Sequence, residues 1–247
     1  MFEGQVVFQG NFSGLVFEPT EIQYPDKDVV GVTIASSIVQ GLTLIVKIKN
    51  QNSRDFALLK AEEVAFELIK LIAFQFSSFH QVTRKEVVEF SANKTSEIVA
   101  GSSELNQQFH TRVIGSCLLS AAALKPLRAL LERRDNPNYM YYDFFYFAIG
   151  LEDPLAQFMA LYNIILSLKG DKQEQVDKFV ITKQPNIHTN LPFYSRKSGM
   201  PETIYTKLRN QIGHSRSGTT VQSTREAMRK NLPGLIEVVR EVIRTSM

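Results

Sequence analysis

The chain has little of what stapled, secreted or membrane-embedded proteins depend on. Its single cysteine, Cys117, cannot close an intramolecular disulfide. The apolar setting Val113-Ile114-Gly115-Ser116-Cys117-Leu118-Leu119 reads as that of a small core residue and not of a nucleophile. No run approaches the roughly 18 consecutive apolar residues that span a bilayer. The opening Met1-Phe2-Glu3-Gly4-Gln5 lacks the basic region and apolar stretch of a secretory signal. These absences predict a soluble, cytoplasmic protein with no membrane partner. A low-complexity tract is also missing, and 44% hydrophobic with 21% charged residues predicts a packed core and not disorder.

Several kinds of chemistry are missing too. The four histidines, His80, His110, His188 and His214, are scattered, none at helical spacing from another and none beside a cysteine pair, so no metal site is predicted. Neither G-x-x-x-x-G-K-[ST] nor G-x-G-x-x-G occurs, which removes the common phosphate-cradling loops, and the hydrolase elbow G-x-S-x-G is absent. The expectation is a chain that works without a cofactor.

The net charge of +3 is too small to argue for a nucleic-acid partner alone. Its distribution says more. From Met200 to Met247 eight basic residues face four acidic ones, an excess of +4 that leaves the rest of the chain near -1.

At 247 residues, and with roughly 150 per domain as a guide, the chain is expected to hold two units. The first fifty residues alternate short β-rich runs with Gly, Pro and Asn: Val6 to Phe8, Gly14 to Phe17, Val29 to Ile34 and Leu42 to Lys49. In the last run Leu42, Leu44, Val46 and Ile48 alternate with polar residues, with Ile45 the one mismatch. A core helix follows from Arg54 to Phe76, where Ala61, Ala65, Leu68, Ile69, Ile72 and Phe76 keep to one face. Further strands are expected over Glu86 to Phe90 and Arg112 to Leu118, and a helix over Ala121 to Arg134. The turn signal Asp135-Asn136-Pro137-Asn138 sets the border. The expectation is an α+β chain: an N-terminal mainly antiparallel sheet with packed helices over residues 1–137, then an all-α bundle over residues 138–247.

That second unit opens with seven aromatics in nine residues, Tyr139 to Phe147. Only Asp143 is charged there, so the segment reads as an interdomain core or a dimer contact before a base-stacking platform. Asp153 and Pro154 can open a helix whose stripe is Leu155, Phe158, Met159, Tyr162, Ile165 and Leu166, ending at Gly170. A second helix covers Lys172 to Ile181, a long loop Thr182 to Gly199, and a third helix starts near Pro201 with Ile204, Leu208 and Ile212 at four-residue spacing. The last helix is predicted to start with a capping box, Ser223-Thr224-Arg225-Glu226, and to bend at Pro233.

One constellation remains for chemistry, Lys207-Leu208-Arg209-Asn210-Gln211-Ile212-Gly213-His214-Ser215-Arg216. Asn210 and His214, four apart, share a helix face; Arg209 and His214, five apart, diverge by about 140° and converge only through a long side chain, a frayed end at Gly213 or a second copy. The set suits RNA cleavage. A histidine can move the proton of a 2′-hydroxyl, an arginine can bind the phosphate oxygens, and an asparagine can orient either; no metal is needed when the neighbouring hydroxyl attacks. The same residues near a helix end also serve as dipole partners and caps.

The arrangement resembles the HEPN superfamily, and within it the Apea-like and methylamine-utilisation MauJ-like proteins. The likeness covers about Leu151 to Met247. It rests on Phe158-Met159-Ala160-Leu161-Tyr162-Asn163-Ile164-Ile165, the long loop before the third helix, and Leu208-Arg209-Asn210-Gln211-Ile212-Gly213-His214. The resemblance implies a C-terminal HEPN-like bundle in which Arg209 and His214 match the family's catalytic pair and Asn210 the polar residue that follows the arginine. It further implies a metal-independent endoribonuclease of toxin, defence or stress type, built as a homodimer with a composite site. Other relatives are inactive interaction or nucleotide-binding modules, or accessories of a metabolic gene cluster. Gly213 stands where alanine is common and Ser215 where glycine often follows, departures that bear on how the helix ends. Possible RNA contacts are Lys207 and Arg216 beside the motif, and Arg196 and Lys197 in the loop before it, a short basic loop that could equally be solvated. Tyr205 could border a groove, but its spacing from Leu208 reads as core.

Overall fold

In the computed structural model the residues described are 2–11, 14–78, 82–89, 98–99, 117–119, 121–132, 134–190, 199–213 and 220–246. The chain divides into two compact units, Met1–Asp135 and Asn136–Met247. It is an α+β protein, with an antiparallel sheet in the first unit and helices in the second.

The first unit is built on period-two alternation. Strands β1 (Phe2–Gly10), β2 (Leu15–Ile22), β3 (Val29–Ser37), β4 (Gly41–Gln51) and β5 (Val82–Glu89) form the body of a seven-stranded sheet. Short β6 (Ile98–Val99) and β7 (Cys117–Leu119) lie at its edges, in the order β6-β5-β1-β4-β3-β2-β7. All pairings are antiparallel except β2 with β7. In register Val6 and Val32 flank Val46, and Phe8 and Ile34 flank Leu44, so one face stacks apolar side chains across three strands. All six are out of water, while Ile45 is half-buried on the other face. Each such side chain contributes on the order of 1.5–3 kcal/mol over its exposed state.

Helix α1 (Arg54–Phe76) has the range the apolar stripe predicts. Ser53 caps it by accepting from the amide of Phe56, and Ser77 ends it in the left-handed region at φ 52°. Its buried face, including Ala57, Ala61, Ala65, Leu68 and Ile72, packs on β4 and β1; the small alanines let the helix approach the sheet closely. Tyr24 hydrogen-bonds to Glu67 of this helix, and Lys60 pairs with Asp26 at 2.7 Å.

Two expectations for this unit shift. The span Ala121 to Arg134, helical by propensity apart from Pro126 near its start, is a 3-10 turn at Ala121–Leu124 followed by α2 (Lys125–Leu131). Pro126 has no amide hydrogen to extend a helix from behind it, and it sits in the first turn of α2. The strand expected over Glu86 to Phe90 begins earlier, at Val82. Residues 112–116 lie outside the described residues, as does the side chain of Cys117, whose backbone is in β7.

The second unit contains α3 (Met140–Ile149), α4 (Pro154–Leu168), α5 (Gln173–Lys183), the two-stranded pair β8 (Thr189–Asn190) and β9 (Glu202–Thr203), α6 (Ile204–Gly213) and α7 (Val221–Thr245). The aromatic segment is α3, and it is split by face: Tyr142 and Phe145 are buried, while Met140, Phe144 and Phe147 are exposed. Asp153 caps α4 by accepting from the amides of Leu155 and Ala156. Helix α4 packs against α7 and α3 through residues such as Phe158, Leu161 and Ile165.

The start of α7 differs from its expected place. The capping box is Thr220 with Ser223, whose hydroxyls and amides bond reciprocally at 3.0 and 3.1 Å. Thr220 and Ser223 both begin a suitable four-residue pattern, and the helix takes the earlier one, which adds a turn. Helix α7 continues through Pro233 to Thr245. No described helix is long and apolar enough to cross a membrane.

Candidate functional site around Arg209

Helix α6 is held by buried polar groups, not by a simple apolar stripe. Ile204 and Ile212, which share four-residue spacing with Leu208, are half-buried, and the buried positions are Tyr205, expected as core, with Thr206, Leu208 and Asn210. The helix starts where β9 ends, so its first turn inherits the backbone direction set by the β8 pairing, and the Ile204 amide donates to the His188 carbonyl.

Asp177 of α5 anchors that first turn. Its side chain is fully buried, and its Oδ1 accepts from the Thr203 amide at 3.0 Å, the Thr203 hydroxyl at 2.5 Å and the Thr206 hydroxyl at 2.6 Å. Thr206 Oγ1 also meets the Tyr162 hydroxyl of α4 at 2.9 Å. A carboxylate here satisfies a free helix-start amide and complements the positive end of the helix dipole. One turn on, the Tyr205 hydroxyl donates to Gln184 Oε1 at 2.9 Å, and Gln184 Nε2 donates to the Gly234 carbonyl at 3.0 Å. Burial raises the Tyr205 phenol above its ordinary range, against a lowering by the bond to Gln184.

The motif itself is partly placed. Asn210 is 4% exposed. Its Nδ2 donates to Glu202 Oε1 at 2.7 Å, and its Oδ1 accepts from Gln173 Nε2 at 2.9 Å and from Arg209 Nη1 at 3.1 Å. Arg209 is half-buried; its Nε has no accessible surface and no hydrogen-bond partner among the described residues. The bond to Asn210 is the one hydrogen bond of its side chain among the described residues. Lys207, on the same helix, donates to Asn190 Oδ1 of β8 at 3.0 Å. His214, Arg216, Arg196 and Lys197 lie outside the described residues. Arg209, Asn210 and Lys207 are therefore together on α6, which ends at Gly213, the residue before His214. Among the described residues no cluster of three His, Cys, Asp or Glu side chains could hold a metal ion.

Sequence reasoning passed over Asp177, Glu202 and Gln173. A signal for Asp177 existed: it sits between Val176 and Val180 on the buried side of a short helix, where a carboxylate needs a specific reason. Glu202 and Gln173 carry none, because their meeting with Asn210 depends on how α5, β9 and α6 fold together. No family model, curated protein or solved structure matches the chain.

Proposed function

We propose that the second unit is a HEPN-type helical bundle and that the chain is a metal-independent endoribonuclease acting as a homodimer on RNA. The observation that carries this reading is the state of Arg209. Among the described residues it forms no ion pair, and its guanidinium is steadied by a neutral amide oxygen. An arginine already neutralised by a carboxylate has little left for a phosphate, whereas one held by a neutral acceptor keeps its full charge.

In this reading His214, the first residue beyond α6, takes the proton of a ribose 2′-hydroxyl. The 2′-oxygen attacks the adjacent phosphorus, the bond to the 5′-oxygen breaks, and that oxygen leaves with a proton. A 2′,3′-cyclic phosphate and a 5′-hydroxyl result. Arg209 binds the non-bridging oxygens as their charge grows. Asn210 is buried and acts on Arg209 instead of on RNA. Facing α6 helices of two copies supply the second set of groups, which answers the divergence of Arg209 and His214 along one helix.

A second reading, a non-catalytic HEPN interaction module, is favoured by the exposed Met140, Phe144 and Phe147 on one side of α3. The two separate in one experiment. Purified chain incubated with RNA in EDTA should yield cyclic-phosphate ends, and His214→Ala and Arg209→Ala should each lower the rate by roughly 100-fold or more with the circular dichroism unchanged. RNA left intact by the wild type, alone and with cell extract, overturns the nuclease. Partner capture abolished by Phe147→Asp and untouched by His214→Ala would favour the module.

A further inference from the structure

The side-chain amide of Asn210 has a donor end and an acceptor end, and its neighbours decide which of them meets Arg209. Glu202 is 1% exposed, and a carboxylate can only accept, so its Oε1 draws the Nδ2 end of Asn210 toward itself at 2.7 Å. The Oδ1 end is thereby turned to Arg209 Nη1 and to Gln173 Nε2. Gln173 closes the clamp from the other helix by also accepting from Nδ2 at 3.4 Å.

We propose that Glu202 is a positioning residue for Arg209. Acting through Asn210, it fixes the orientation of the guanidinium and supplies negative potential to it without pairing with it directly. A direct pair would engage two guanidinium donors with one carboxylate. The relay engages one, Nη1, and its dipoles line up from carboxylate through amide to guanidinium, so each bond strengthens the next. The inference rests on the reading that Arg209 meets a phosphate, but the geometry it asserts can be tested without any cleavage.

The test uses the full chain labelled with nitrogen-15 in arginine, comparing wild type, Glu202→Gln and Gln173→Ala. Glu202→Gln keeps shape and removes charge, so its amide can face Asn210 either way round. Gln173→Ala, at a half-buried site, serves if the first variant does not fold. In the wild type the Nη groups of Arg209 should give separate, slowly exchanging signals, assigned by their loss in Arg209→Ala. In either folded variant these signals should broaden or merge. The cleavage kcat of Glu202→Gln should fall roughly tenfold with KM within about twofold, and binding of RNA blocked by 2′-O-methyl groups should stay within the same twofold. Merged signals in a chain that cleaves no RNA would uphold the positioning while sinking the nuclease. Unchanged Arg209 signals in folded Glu202→Gln overturn the positioning, whatever the rate does.

Discussion

Along β4 every second residue from Leu42 to Ile48 is apolar and out of water, and Ser36 is the one buried polar side chain among the described residues of the sheet unit. Around α6, by contrast, Asp177, Glu202, Thr203, Thr206 and Asn210 are buried together. A dry core tolerates exchange among side chains of similar volume. A buried polar cluster does not, because each donor left without an acceptor costs about 1–3 kcal/mol. The helical unit thus accepts a more demanding interior at the one helix that carries Arg209, which is where a fixed geometry would serve chemistry.

The sharpest way to break this contrast is to remove its central acceptor. Asp177→Ala deprives three donors at once and should destabilise by about 3–5 kcal/mol, whereas Ser36→Ala, which loses one bond to the Leu15 carbonyl, should cost about 1 kcal/mol. Urea midpoints for the two variants measure this directly; equal costs would erase the distinction between the units.

A smaller effect probes packing beside the cluster. A methyl group on Gly234 would lie 2.4 Å from the Tyr205 hydroxyl, against an expected gain of up to about 1 kcal/mol from replacing glycine in a helix. Gly234→Ala should therefore lose about 1–2 kcal/mol net. In a Tyr205→Phe background the nearest ring carbon is 3.7 Å away, and the same substitution should turn neutral or stabilising. A thermal-melt double-mutant cycle that showed additivity would mean that the hydroxyl is not the obstacle.

The smallest effect lies in the sheet unit. Burial raises the Asp26 carboxyl, but the hydrogen bonds from Lys60 and the Asp28 amide, with the charges of Lys60 and Arg134, outweigh it and hold the pKa below its ordinary 3.8. A carboxyl lowered in the folded state stabilises above its unfolded pKa and loses that contribution as pH falls through the folded value. Asp26→Asn should cost under about 1 kcal/mol at pH 7, because Lys60 is partly solvated, and less near pH 2. Unfolding curves at both pH values check the sign, and a cost that persisted undiminished in acid would assign the loss to shape and not to charge.

The sheet unit was the more legible half because its rules are local. Alternation located β4 and placed Ile45 on the opposite face, and an apolar stripe bounded α1. In the helical unit the same reasoning found the helices and read Tyr205 as core beside Leu208, but it did not find the buried polar positions of α6. Ile204 and Ile212 look like core by type, yet Thr206 and Asn210 are deeper because acceptors on α5 and β9 await them. Asp177 and Thr206 are 29 positions apart, and no local pattern announces a partner at that distance. The motif Arg209-Asn210 was visible as a string; the task of Asn210, facing Glu202 and Gln173, was not.

The Asp177 cluster also constrains how the chain can drift. One carboxylate oxygen serves both threonines, and Thr206 shares its hydroxyl with Tyr162, so removing the polar group at position 162, 177, 203 or 206 takes a partner from at least one of the others. Such positions are epistatic and change as a set. A descendant that replaced Asp177 with valine would be expected to carry apolar residues at 203 and 206 as well, passing through an intermediate less stable than either end.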